Sequence, residues 1–259
     1  MILLSSAAFS NTSQLCLTKH FPGARVVKQV TVPCDHYADP CSAFVFVDDA
    51  SKAFGIAFRG SSNQQQIDAE IEETLEYEKI PFVSGGKAVK FFSDAFYTLW
   101  EQGISDAFVS QAAATPQYTC WITGHSLGAA LASLAANHIV AKNLQAPDNM
   151  LLYTFGQPRT GDREYADVTD ETFKNAYRVT HTTDIIPHVP FPFMGYQHHK
   201  TEIFYDNSMD KADFQLCLGQ EDPSCSIAQS DLNMEAHRHY YGIQVPMYGQ
   251  SNCGVEDGL

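Results

Sequence analysis

Apolar positions in this chain follow two periods. Short runs enriched in Val, Ile, Phe and Tyr occur at Arg25 to Val32, Ala43 to Val47, Ala53 to Phe58, Tyr118 to Thr123, Met150 to Phe155, Asn175 to Thr180 and Glu202 to Tyr205, and they predict strands. Lys90 to Glu101 places Phe92, Phe96 and Leu99 three and four residues apart, which predicts a helix with one apolar face. Leu127 to Asn143 is rich in Ala and Leu with few breakers and predicts a second helix. Strands alternating with helices predict an α/β fold: a mostly parallel central sheet with helices on both faces. The early strands, joined by short links, are expected to pair as antiparallel hairpins and make the sheet mixed. Asn63 to Lys79 fits both periods, since Ile67, Ile71 and Leu75 suit a helix while Ile67, Ala69, Ile71, Leu75 and Tyr77 suit alternation. No repeat or long linker divides the chain, so a single domain over 1–259 is expected.

Composition narrows the partners. With 44% hydrophobic and 18% charged residues the chain carries enough apolar side chain for a large core. Sixteen Lys and Arg against 30 Asp and Glu give a formal charge of −14, which repels a phosphate backbone or an anionic membrane and argues against nucleic acid as a partner. A neutral lipid surface or a small uncharged ester is not repelled. No run of eighteen apolar residues occurs, so no transmembrane segment is expected.

Seven cysteines suggest an oxidising compartment. Cys34 with Cys41, and Cys217 with Cys225, each enclose a short polar stretch and read as stapled loops. Cys16 with Cys253 could tie the two ends together, leaving Cys120 unpaired on a buried strand. A zinc site at Cys34, His36 and Cys41 is the competing reading, but no second Cys/His pair follows at finger or ribbon spacing. Met1 to Ser10 lacks the basic start and length of a signal peptide and reads as a first helix of a secreted protein whose signal is absent from this sequence. Asn11-Thr12-Ser13 is a glycosylation sequon.

The strongest chemical signal is the succession of strand Tyr118 to Thr123, turn Gly124-His125-Ser126-Leu127-Gly128, and helix from Ala129. Such a turn lifts a serine hydroxyl above the sheet while glycines relieve the crowding, and the helix N-terminus faces developing negative charge. A serine needs a base, and in this chain order the acid and then the histidine come later. Asp184, shortly after a predicted strand, is the favoured acid over Asp162, Asp167 and Asp170. His237 and His239 both precede an aromatic pair, and spacing does not choose between them.

Five blocks in order resemble the class 3, fungal-type lipase family of the α/β-hydrolase superfamily: Phe58-Arg59-Gly60-Ser61, GHSLGAAL at Gly124 to Leu131, TFGQPRTGD at Thr154 to Asp162, VTHTTDIIPHVP at Val179 to Pro190, and HRHYYG at His237 to Gly242. The resemblance implies Ser126 as nucleophile, Asp184 as the orienting acid and His237, the first residue of the last block, as general base. It also implies an oxyanion hole from Ser61, with Ser62 as the substitute, and the Leu127 N–H. It supports Met1 to Ser10 as a first helix and Cys16–Cys253 as the bond between the ends. No cofactor or metal is implied.

Departures from the family concern substrate. The stretch Ser62 to Lys79, where a short amphipathic lid with a tryptophan is usual, has none and carries Asp68, Glu70, Glu72, Glu73, Glu76 and Glu78. The family's His-x-Gly-Phe is replaced near Val89-Lys90-Phe91-Phe92. The expected function is a serine carboxylic-ester hydrolase, first a triacylglycerol lipase making transient contact with a lipid interface. An esterase for short or soluble esters, like the feruloyl esterases, is the alternative, and a catalytically silent lipid-binding fold is the third reading.

Overall fold

The structure is a computed structural model and describes residues 1–34, 39–61, 78–209 and 212–254. The segment of ambiguous period, apart from its last two residues, lies outside them, as do Ser62 and His36. Eight strands form one sheet: β1 (Arg25–Pro33), β2 (Pro40–Asp48), β3 (Ala53–Phe58), β6 (Thr119–His125), β7 (Met150–Phe155), β8 (Ala176–His181), β9 (Glu202–Tyr205) and β10 (Gln215–Cys217), side by side in that order. Two hairpins stand apart, β4 (Lys79–Pro81) with β5 (Lys87–Val89) and β11 (His239–Tyr240) with β12 (Ile243–Gln244). Strands β3, β6, β7, β8 and β9 run parallel, while β1, β2 and β10 pair antiparallel at the two edges. The expected mixed α/β sheet is therefore present.

Alternation along the strands sorts side chains between two layers. On β2, Ala43, Val45 and Val47 join Phe54, Ile56 and Phe58 of β3 beneath helices α3 (Lys90–Leu99), α4 (Ser105–Ala114) and α5 (Leu127–Ala141). Phe44, Phe46 and Ala57 point the other way, toward α1 (Ile2–Ala7) and α2 (Ser13–His20). Both faces of β3 are buried along its whole length, so it reads as a continuous apolar run. Each phenylalanine buried here contributes roughly 1.5–3 kcal/mol relative to exposure.

Helix α3 buries Phe92, Phe96 and Leu99 as its period requires, but stops two residues before the expected Glu101. A wide turn over Trp100–Ile104 follows, in which Gly103 takes φ 116°. Helix α5 is buried on nearly every side, which explains its lack of a polar face. Helix α6 (Arg163–Thr172) and α7 (Met234–Arg238) follow. The last helix, α8 (Val245–Gln250), returns to α1, where Ser6 Oγ donates to the Val245 carbonyl at 2.6 Å. Disulfides join Cys16 to Cys253, Cys34 to Cys41 and Cys217 to Cys225, and Cys120 is a free buried thiol. Cys34 and Cys41, bonded to each other, are not zinc thiolates. No helix among the described residues is long and apolar enough to cross a membrane.

Candidate active site

Strand β6 ends at His125 and α5 begins at Leu127, so Ser126 alone turns the chain. Its φ of 60° and ψ of −132° lie where a non-glycine residue costs about 1–3 kcal/mol, and neighbours hold it there. The Ser126 N–H donates to the Phe155 carbonyl at 3.0 Å, and its own carbonyl accepts the Ala129 N–H at 2.8 Å. A Cβ on Gly124 would stand 2.0 Å from the Gly128 oxygen, and one on Gly128 2.3 Å from the Phe58 oxygen. The glycines of the motif are thus required by close approach of strand to helix and of helix to β3.

Asp184, buried in the loop beyond β8, accepts three kinds of donor. The Ile186 N–H reaches Oδ1 at 2.9 Å, the Tyr240 hydroxyl reaches Oδ2 at 2.7 Å, and His237 Nδ1 lies 2.9 and 3.0 Å from the two oxygens. A carboxylate only accepts, so Nδ1 carries the proton. His237 Nε2 is then an acceptor, and it is buried with no hydrogen-bond partner. Burial alone would raise the Asp184 pKa, but electrostatic attraction to the His237 ring and the hydrogen bonds from His237, Tyr240 and Ile186 outweigh it and hold the carboxyl below its ordinary value. His239, left open by spacing, is 40% exposed and turns its Nδ1 to the Glu235 carbonyl at 3.0 Å. The rival carboxylates lie elsewhere: Asp162 caps α6 through the Tyr165 N–H, and Asp167 and Asp170 both accept from Gln220.

The end of β7 joins these groups. Phe155 accepts the Ser126 N–H, and the next residue, Gly156, has φ 55°, with an added Cβ falling 2.8 Å from Asp184 Oδ2, His237 Cε1 and His237 Nδ1. Serine, carboxylate and imidazole therefore crowd around one strand terminus, at the carboxyl end of the parallel strands where open α/β sheets place ligands. On the other side, a Cβ on Gly60 would meet the His125 oxygen at 2.5 Å and Ser126 Cβ at 3.0 Å. The chain leaving β3 thus runs against Ser126 and carries the buried Ser61 past it. The Leu127 N–H, at the first position of α5, has no acceptor within its own helix.

Four positions that hold this arrangement had no assigned role in the sequence: His125, Gly156, Arg159 and Tyr240. Buried Arg159 pairs with Glu221 through two bonds of 2.9 and 2.7 Å and donates to the His188 and Pro190 carbonyls at 2.6 and 3.0 Å, clamping the loop that begins at Asp184. Its signal was an arginine among small and apolar residues in TFGQPRTGD, since a charge there must be buried with a partner. Tyr240 was visible only as the first of an aromatic pair. Among the described residues no group of three or more His, Cys, Asp or Glu is arranged to hold a metal.

The profile of the family Lipase (class 3) matches residues 55–194. Lipase ZK262.3 of Caenorhabditis elegans is 29% identical over 289 aligned positions, covering 98% of this chain and 80% of its own length. The lipase of Rhizomucor miehei is 33% identical over 207 positions, covering 78% of this chain and 55% of its own, so this chain spans little more than half of that relative. A solved triacylglycerol lipase, described as having a serine protease triad at its catalytic centre, superposes with a TM-score of 0.82 at 26% identity, covering 95% of this chain and 93% of that one. The match extends over more than half of the residues and includes the Ser126 turn and Asp184, and on that ground the chain belongs to the class 3 lipase family of α/β-hydrolases.

Proposed function

We propose that this chain is a secreted, single-domain hydrolase of fatty acyl esters, acylglycerols first, acting through Ser126, His237 and Asp184. His237 Nε2 takes the Ser126 proton as Oγ attacks the ester carbonyl, and the Leu127 N–H and Ser61 hold the oxyanion. The imidazolium then gives that proton to the departing alcohol. Water repeats the sequence on the acyl-enzyme and releases the fatty acid. Asp184 keeps the imidazole in the tautomer whose Nε2 is bare. Each oxyanion donor is worth about 10²–10³ in rate.

The observation that carries this reading is the buried His237, bound to Asp184 through Nδ1 and unpartnered at Nε2, beside a serine in a strained strand-to-helix turn. An apolar substrate is supported by Phe191 and Phe193, which stack with centroids 5.4 Å apart on the loop leaving Asp184, with Phe193 85% exposed. Secretion is supported by the three disulfides.

The acidic composition of 62–79 favours a second reading, hydrolysis of short or soluble esters, because such a segment gains little at a lipid surface. Mass-spectrometric mapping of a fluorophosphonate adduct and chain-length profiling decide. A label on Ser126 with turnover of long-chain emulsions is the expected result. Fast turnover of short soluble esters alone transfers the assignment to the second reading, and a label on another residue overturns the site. Absence of any label indicates a silent lipid-binding fold.

A further inference from the structure

The residue before the nucleophile carries an imidazole that the reaction above leaves unused. His125, buried at the end of β6, lies over His237 with ring centroids 4.5 Å apart and planes inclined by 25°. Its Nε2 stands 2.7 Å from the main-chain oxygen of the same residue. A carbonyl only accepts, so Nε2 carries the proton, while Nδ1 is buried and has no hydrogen-bond partner. The geometry therefore holds a neutral ring. Tyr240 closes one edge at 5.6 Å with an angle of 73°, and Phe9 stands at 6.2 Å.

These contacts supply what Asp184 does not. The carboxylate fixes one atom of the His237 ring, which leaves the plane free to tilt about that contact. The main chain of His237 belongs to α7, a five-residue helix whose last carbonyls have no acceptor duty within the helix to anchor them. His125 lies on the ring's face and donates to the carbonyl of the same residue, so side chain and backbone of the base are held by one neighbour on the strand that delivers Ser126.

We infer that His125 is a positioning residue for the general base, aligning His237 Nε2 toward the Ser126 hydroxyl through the stacked ring and the bond to the His237 carbonyl. Burial first, and the neighbouring His237 second, hold the His125 pKa down to about 3, so the stacked ring stays uncharged while His237 becomes an imidazolium. The two histidines thus divide the work: one moves the proton, the other keeps its partner in line without competing for it.

The inference rests on the acyl-transfer reading, and the test separates the two. The protein, Ser126→Ala, His125→Ala, His125→Gln (donor kept, ring removed) and His125→Phe (ring kept, donor removed) are compared in hydrolysis of p-nitrophenyl butyrate and in the rate of fluorophosphonate labelling. Near-UV circular dichroism reports the fold. For His125→Ala the expectation is a kcat lower by about 10- to 100-fold with KM nearly unchanged, labelling slowed in parallel, and partial recovery in each conservative variant. A folded His125→Ala with the original kcat overturns the inference, as does a raised KM with kcat retained. Should His125→Ala fail to fold, His125→Phe decides on the same two quantities. If the unsubstituted protein neither hydrolyses the ester nor takes the label, the acyl-transfer reading itself falls and this inference with it.

Discussion

Gly156→Ala is expected to damage catalysis by pushing apart the paired carboxylate and imidazole. The new Cβ would sit 2.8 Å from Asp184 Oδ2 and from two atoms of the His237 ring, whereas ordinary contact begins at 3.4 Å. Carboxylate and imidazole must therefore retreat by roughly 0.6 Å, or β7 must shift and carry the Phe155 carbonyl away from Ser126. Misplacement of a reacting group by about 1 Å costs up to 100-fold, so a loss of about 10-fold or more in kcat follows. Two further costs fall on stability: roughly 1–2 kcal/mol for an L-residue at φ 55° and about 1–3 kcal/mol for overpacking a site with no slack. The assay is p-nitrophenyl butyrate hydrolysis paired with urea unfolding. Gly23→Ala is the control, because Gly23 also has positive φ, at 92°, but no atom within 4 Å of its added Cβ, and so carries backbone strain without the clash. A folded Gly156→Ala with kcat within about 2-fold of the unsubstituted protein would refute the reasoning, since so small a change is under 1 kcal/mol.

Tyr240→Phe removes the 2.7 Å donor from Asp184 and leaves a buried carboxylate one bond short; unfolding free energy should fall by about 1–3 kcal/mol, and a change within the roughly ±0.5 kcal/mol of surface substitutions would count against the bond. Acid should destabilise the fold well before ordinary carboxylates protonate. His125 and His199, each held to about 3 by burial, refuse a proton that the unfolded chain accepts below 6.5, so stability drains as pH falls from about 6.5 toward 3. Asp184 acts in the same direction lower down, since its depressed pKa gives stability present above 3.8 and lost as pH drops through the folded value. The two histidines together should cost about 4 kcal/mol between pH 7 and 5, read as a lower urea midpoint, and a midpoint that does not move would refute their neutrality.

Much of the fold was legible because its centre is repetitive. Strands β3, β7 and β9 begin and end where their apolar runs do, and α5 follows directly from its Ala and Leu content. The short strands β4, β5 and β10 hold three residues each, too few for alternation to register. Helix α6 gives no clear apolar period because it buries only Tyr165, Ala166 and Thr169 among polar and charged residues. In the site, Asp184 and His237 were legible as residue types in the right chain order, and they are in contact. Spacing could not separate His237 from His239, because a shift of two residues reverses which side of a short segment faces the interior. The contributions of His125 and Gly156 were invisible for another reason: each acts on a partner 28 or more residues away, and nothing local in the sequence records where β7, the Asp184 loop and α7 converge.

The bond between Cys16 and Cys253 turns the backbone between them into a closed covalent ring. A single nick at a surface site such as Lys142 or Asn143 would open that ring without releasing a fragment, and the two pieces would separate only once the bond is reduced. The order of serine, carboxylate and histidine along the polypeptide is one way of cutting a circle, and circularly permuted versions opened elsewhere are expected to keep the same groups converging on the same strand end.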